Sequence, residues 1–89
     1  MVEKLGIRVL TVDDSRTMQG MLRKALEGAG YEVIQGGDGV EGLEVLQEAD
    51  PTPNAIITDI NMPRMDGFEF IEAVRAMDQY KHLPMIVLT

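Results

Sequence analysis

Short apolar runs alternate with helical patterns along the whole chain, and this alternation restricts the fold more than any other feature. Residues 7–12 (IRVLTV) are β-branched and largely apolar, as a buried strand requires. Met18, Met21, Leu22, Ala25, Leu26 and Ala29 then recur at the spacing of an amphipathic helix. Ser15 and Thr17 are available to cap it, and Gly30 to end it as a left-handed residue. Residues 31–35 (YEVIQ) predict a second strand, polar enough for a sheet edge. Asp38 and Glu41 make a capping-box pattern before a helix whose inner face is expected at Val40, Leu43 and Leu46. Gly42 inside that helix costs about 1 kcal/mol relative to Ala, and the sequence offers no reason for it.

The prolines of residues 50–54 (DPTPN) mark a loop, and residues 55–59 (AIITD) a third strand. A loop with Pro63 leads to a second capping-box pattern, Asp66 and Glu69, and to a helix lined by Phe68, Ile71, Val74 and Met77, with Phe70 flanking. Residues 78–83 read as a loop, and Pro84 opens a fourth strand (PMIVLT). A β-α-β-α-β-α-β order argues a parallel sheet with helices on both faces. Right-handed crossovers and one reversal of winding after strand 1 predict a doubly wound α/β fold, (βα)3β, with strand order 2-1-3-4.

That order gives the aspartates their meaning. Asp13 and Asp14 follow strand 1 and Asp59 ends strand 3, so neighbouring strands bring three carboxylates to the switch point, where ligands bind in such sheets. Two charges about 4 Å apart repel by about 4 kcal/mol at a near-surface dielectric. Such a cluster calls for a cation, a proton, or a functional reason to store that repulsion. With no Cys in the chain and one His, lone in its loop at His82, the donors are hard oxygens, which suit Mg²⁺ or Ca²⁺ and not zinc; a few protein oxygens completed by water match Mg²⁺. An aspartate can also attack phosphorus to form an acyl phosphate. Arg64, Lys81 and His82 read as solvated, Asp66 as a cap, and the methionines as core fillers.

Composition narrows the classes. The 89 residues suffice for one domain, and 45% apolar content excludes a disordered chain. A net charge of -7 disfavours nucleic-acid binding, which needs cations against phosphate. No apolar run approaches the ~18 residues of a membrane span. The opening MVEKLGIRVL is too charged for a secretion signal, so a cytoplasmic location is expected.

VDDS at residues 12–15, DINMPRMDG at 59–67 and PMIVLT at 84–89 resemble the receiver domain of bacterial two-component response regulators, most closely the chemotaxis type. The resemblance covers essentially the whole chain. It implies a flavodoxin-like fold and a phosphoacceptor rather than an enzyme, phosphorylated by a histidine kinase on Asp59. It also implies Mg²⁺ held by Asp13, Asp14, Asp59 and the backbone carbonyl of Asn61, with Thr89 as the switch hydroxyl. An Asp-nucleophile phosphohydrolase fits less well, because a D-x-D pattern would put Asp where Asn61 stands.

Receivers continue with a further helix, strand and helix, so residues 1–89 are expected to be the N-terminal part of a receiver domain, without the lysine that pairs with the phosphoryl group. Met85, Ile86, Val87 and Leu88 are apolar towards both faces, which predicts a homodimer through strand 4. The alternative is a shortened, inactive fragment that self-associates. The output partner is unknown.

Overall fold

The structure, a computed structural model, describes residues 6–88. Its elements are β1 (Arg8–Val12), α1 (Arg16–Gly28), β2 (Glu32–Gly36), α2 (Gly39–Glu48), β3 (Ala55–Asp59), α3 (Gly67–Arg75) and β4 (Met85–Leu88). The four strands form one sheet in the order β2-β1-β3-β4, every pair parallel. The predicted topology is therefore the observed one. β1 lies inside the sheet, and residues 9–12 are all buried, as expected of a strand covered on both faces.

Alternation along the strands sorts the core. Leu10, Val12 and Ile56 face α2 and α3, where they join Leu46, Phe70, Val74 and Tyr80 in one buried cluster. Gly42 now has a reason. A Cβ there would come within 2.9 Å of Val12 Cγ2 and 3.1 Å of Phe70 Cε1, so the glycine lets α2 lie close against the sheet.

Helix starts follow the sequence. Ser15 Oγ accepts from Met18 N at 3.2 Å, and Gly30 ends α1 at φ +97°. Asp66 and Glu69 form the full reciprocal box before α3. At α2, Asp38 Oδ1 accepts from Glu41 N at 2.9 Å, but the Glu41 carboxylate reaches Gly37 N rather than the cap residue.

Two helical faces differ from expectation. The apolar stripe of α1 is not buried: no residue of this helix is fully covered, and Met21 is 61% exposed. Among the described residues α1 has its face of the sheet to itself, so solvent reaches both its flanks. Only an inner strip of Gln19, Leu22 and Leu26 is partly covered. In α3, Phe70 and Val74 point inward, while Phe68 is 59% exposed. Gly67 packs against the end of β3, which fixes the inner face at residues 67, 70 and 74. Met77 lies beyond the helix and packs on the core from the following turns. Tyr80, in the predicted loop, is also buried. The Arg75 guanidinium shapes that loop by donating to the carbonyls of Lys81 and Leu83, at 2.8 and 2.7 Å.

On β4 the two faces differ too. Met85 packs on the core cluster, whereas Ile86 is 54% exposed beside Val9, Leu26 and Ile57.

Candidate functional site

The register of β1 on β3 sets the site. Val12 lies beside Thr58, so the next residue of each strand brings Asp13 alongside Asp59. Oxygen atoms from Asp13, Asp14 and Asp59 all lie within 4.8 Å of one another. At such range each pair of charges repels by about 3 kcal/mol at an effective dielectric near 20. Among the described residues this is the one group of three or more potential metal ligands that converge.

Each carboxylate has its own surroundings. Asp13 is 3% exposed. Its Oδ1 accepts from Ser15 N at 2.8 Å, and its own N–H donates to Gly36 O at 3.1 Å, which extends the ladder beyond β1. Burial is the main force raising the Asp13 pKa above the usual carboxylate value. The Ser15 N–H opposes it, and the charges of Asp59 and Asp14 add to it. Asp14 is exposed. Asp59 is half-buried, and its Oδ1 accepts from Ile60 N at 2.8 Å.

Close backbone packing supports Asp59. A Cβ on Gly67 would run into the Asp59 carbonyl oxygen, and Gly67 N donates to Ile60 O at 2.8 Å. The buried Thr58 hydroxyl donates to the same Asp59 carbonyl at 2.9 Å. The aspartate-glycine pair at residues 66 and 67 therefore both caps α3 and lets the helix start against the phosphoacceptor candidate.

The donor set is three carboxylates, with no imidazole or thiolate among them. Mg²⁺ fits such a site and retains water at its remaining positions. Asn61 lies in the exposed loop two residues beyond Asp59. Thr89 lies outside the described residues. His82 is exposed, and Lys81 is half-exposed and pairs with the exposed Asp78 at 3.5 Å, in keeping with their solvated reading.

Two supports escaped sequence reasoning. Gln19 Nε2 donates to the carbonyls of Asp13 at 2.6 Å and Gly36 at 3.2 Å. Its backbone oxygen accepts from Gln35 Nε2, which also donates to the buried Thr11 hydroxyl. The signal was its spacing, i, i+3, i+7 with Leu22 and Leu26, on the inward strip of α1. The second is Arg64, which is not merely solvated. It forms a forked ion pair with Asp38, Nε to Oδ2 at 2.8 Å and Nη2 to Oδ1 at 3.0 Å.

Comparisons with known proteins agree with this geometry. The profile of the response regulator receiver domain matches residues 9–89. The chain is 43% identical over 81 residues to the sensor histidine kinase CheAY of Helicobacter pylori, covering 91% of this chain and 10% of that protein. It is 39% identical over 84 residues to chemotaxis protein CheY1 of Helicobacter pylori J99, covering 93% of this chain and 67% of that one. Among solved structures, the chemotaxis response regulator CheY4 of Vibrio cholerae superposes with a TM-score of 0.85 at 46% identity, covering 91% of this chain and 66% of its own. The signal receiver domain of a histidine kinase from Syntrophus aciditrophicus gives 0.89 at 31% identity, covering 94% and 62%. The chain thus spans about two thirds of the chemotaxis relatives and a tenth of the kinase.

Proposed function

This chain belongs to the response regulator receiver domain family of two-component signalling, and from that premise we propose that it accepts a phosphoryl group on Asp59 with the help of Mg²⁺. The observation that carries the reading is the convergence of Asp13, Asp14 and Asp59 within 4.8 Å at the carboxyl edge of β1 and β3.

The hydrogen bonds support a division of roles within Asp59. Oδ1 is held by Ile60 N, so Oδ2 is the oxygen without a hydrogen bond among the described residues, and is the nucleophile. In transfer from a phosphohistidine, a bond forms between Oδ2 and phosphorus while the phosphorus–nitrogen bond breaks. The imidazole nitrogen keeps the electron pair and takes a proton from solvent. Asp13, Asp14, Asp59 and the Asn61 carbonyl would hold the Mg²⁺. Once bound, the metal supplies positive charge against both the carboxylates and the incoming phosphoryl oxygens. Asp13 would serve as a fixed, buried ligand, because Ser15 N orients its carboxylate and Gln19 its backbone. Exposed Asp14 completes the set from the solvent side.

The donor is taken to be a histidine kinase, and likeness to chemotaxis regulators points to a chemotaxis pathway. A cytoplasmic location belongs to the same reading; no helix among the described residues is long and apolar enough to cross a membrane. The test is an amide NMR spectrum with Mg²⁺, then with added beryllofluoride as a phosphoryl mimic. Shifts at Ser15, Ile60 and Gly67 that vanish in Asp59→Ala support the proposal. An unchanged spectrum fits the inert-fragment alternative and refutes it.

A further inference from the structure

The loop of residues 60–66 joins Asp59 to α3 and carries Asn61. Its course depends on a backbone conformation that its sequence does not favour. Arg64 has φ +65°, in the left-handed region that non-glycine residues rarely enter. Met65 N donates to Pro63 O at 2.7 Å, closing a tight three-residue turn around Arg64. Turns of this hand are rare and strained, and persist only where surrounding contacts hold them.

The holding contacts are on α2. The Arg64 guanidinium forks onto Asp38, a carboxylate with only 11% of its side chain exposed, itself fixed by its capping bond from Glu41 N. Next to it, a Cβ on Gly39 would come within 2.7 Å of both Met65 Cγ and the Met65 carbonyl oxygen. The loop is therefore seated on the first turn of α2 by an ion pair at one residue and a close backbone approach at the next. An Arg–carboxylate fork fixes orientation as well as distance, and a lysine cannot reproduce it.

We propose that Arg64 is a positioning residue for the carboxylate site: its fork on Asp38 holds the strained loop so that the Asn61 backbone faces the three aspartates. This role rests on the reading of Asp59 as the phosphoacceptor and of Mg²⁺ as its ion. Arg64 touches neither the ion nor the phosphoryl group. It acts through the loop, and it ties the N-terminus of α2 to the site.

Three substitutions separate the parts. Arg64→Gly keeps the left-handed turn at no steric cost and removes the fork. Arg64→Lys keeps the charge without the fork. Asp38→Ser keeps a capping oxygen and removes the charge. The readout is the midpoint of a Mg²⁺ titration followed by the Ser15 and Ile60 amides, on variants that retain the dispersed spectrum of the parent. The midpoint rises at least about threefold in Arg64→Gly and Asp38→Ser, and by less in Arg64→Lys. The Arg64→Gly/Asp38→Ser double variant is no worse than either single, since both remove one interaction.

Midpoints equal to that of the parent, or losses that add in the double variant, overturn the proposal. Asp59→Ala separates the two levels. Where it abolishes the Mg²⁺ response while Arg64→Gly matches the parent, the positioning role alone fails. Where Asp59→Ala responds like the parent, the site reading fails and the role of Arg64 falls with it.

Discussion

Asp13 and Asp38 lie at the same edge of the sheet, one residue beyond β1 and two beyond β2, and both are nearly buried, at 3% and 8% exposure. Their carboxyls are nevertheless pushed in opposite directions. Burial, with the charges of Asp59 and Asp14, holds Asp13 above the usual range. The Arg64 fork, then the Glu41 N–H, holds Asp38 below it. Burial pushes both carboxyls up; at Asp38 the Arg64 fork overrides it, and at Asp13 burial prevails. Arg64 neutralises the structural carboxylate, while among the described residues the three aspartates have no cationic side chain paired with them. Uncompensated charge concentrated in one cluster is the pattern expected of a site that awaits a ligand.

The comparison predicts substitutions of opposite sign. Asp38→Ala removes an N-cap and strands Arg64, and the cap alone contributes about 1–2 kcal/mol, so urea unfolding should shift to a clearly lower midpoint. Asp13→Asn keeps the oxygen that accepts from Ser15 but removes a charge, and in metal-free buffer it should stabilise the fold by about 1 kcal/mol, within the range common for a single stabilising substitution. The same variant should lose its response to Mg²⁺. If both substitutions destabilise equally, the distinction between the two carboxylates is wrong.

Acid sharpens it further. Asp13 has a raised pKa, so its ionisation opposes folding in full at neutral pH. That penalty shrinks as pH falls from its folded value towards 3.8. The advantage of Asp13→Asn over the parent should therefore be largest near neutrality and fade towards pH 4. Asp38 has a lowered pKa, and its contribution is present in full well above 3.8 and lost progressively as pH falls from there through the folded value beneath it. The deficit of Asp38→Asn should thus hold at its neutral value well below neutrality, begin to shrink only as pH nears 3.8, and close in stronger acid. Unfolding curves across that range read both trends. The smallest effect belongs to Lys81→Ala. Its 3.5 Å pair with the exposed Asp78 is the kind that solvent screens, and the denaturation midpoint should not move.

The sheet and the aspartate cluster were legible because they depend on local signals joined by a strong topological rule. Apolar runs gave the strands, and right-handed crossovers gave their order and brought Asp13 beside Asp59. The helix faces were less legible. Periodicity finds the apolar side of α1 but not what covers it, and Met21 remains exposed. In α3 the inner face follows from Gly67 packing on Asp59, a contact between backbones that no side-chain pattern records. Tyr80, Gln19 and Arg64 share one difficulty. Their roles come from partners beyond their own element, such as Asp38 for Arg64 and the Asp13 carbonyl for Gln19, and periodicity does not name that partner. Gly42 shows the converse: its local cost was visible, and its cause, Val12 and Phe70, appears only in three dimensions.

The most direct test of the central claim is to locate the phosphoryl group itself. The chain would be treated with acetyl phosphate and Mg²⁺, and the modified residue mapped by peptide mass spectrometry, with Asp59→Asn in parallel. The account predicts modification at Asp59 alone and none in the variant. Modification at Asp13, Asp14 or any other residue, or equal labelling of Asp59→Asn, would contradict it.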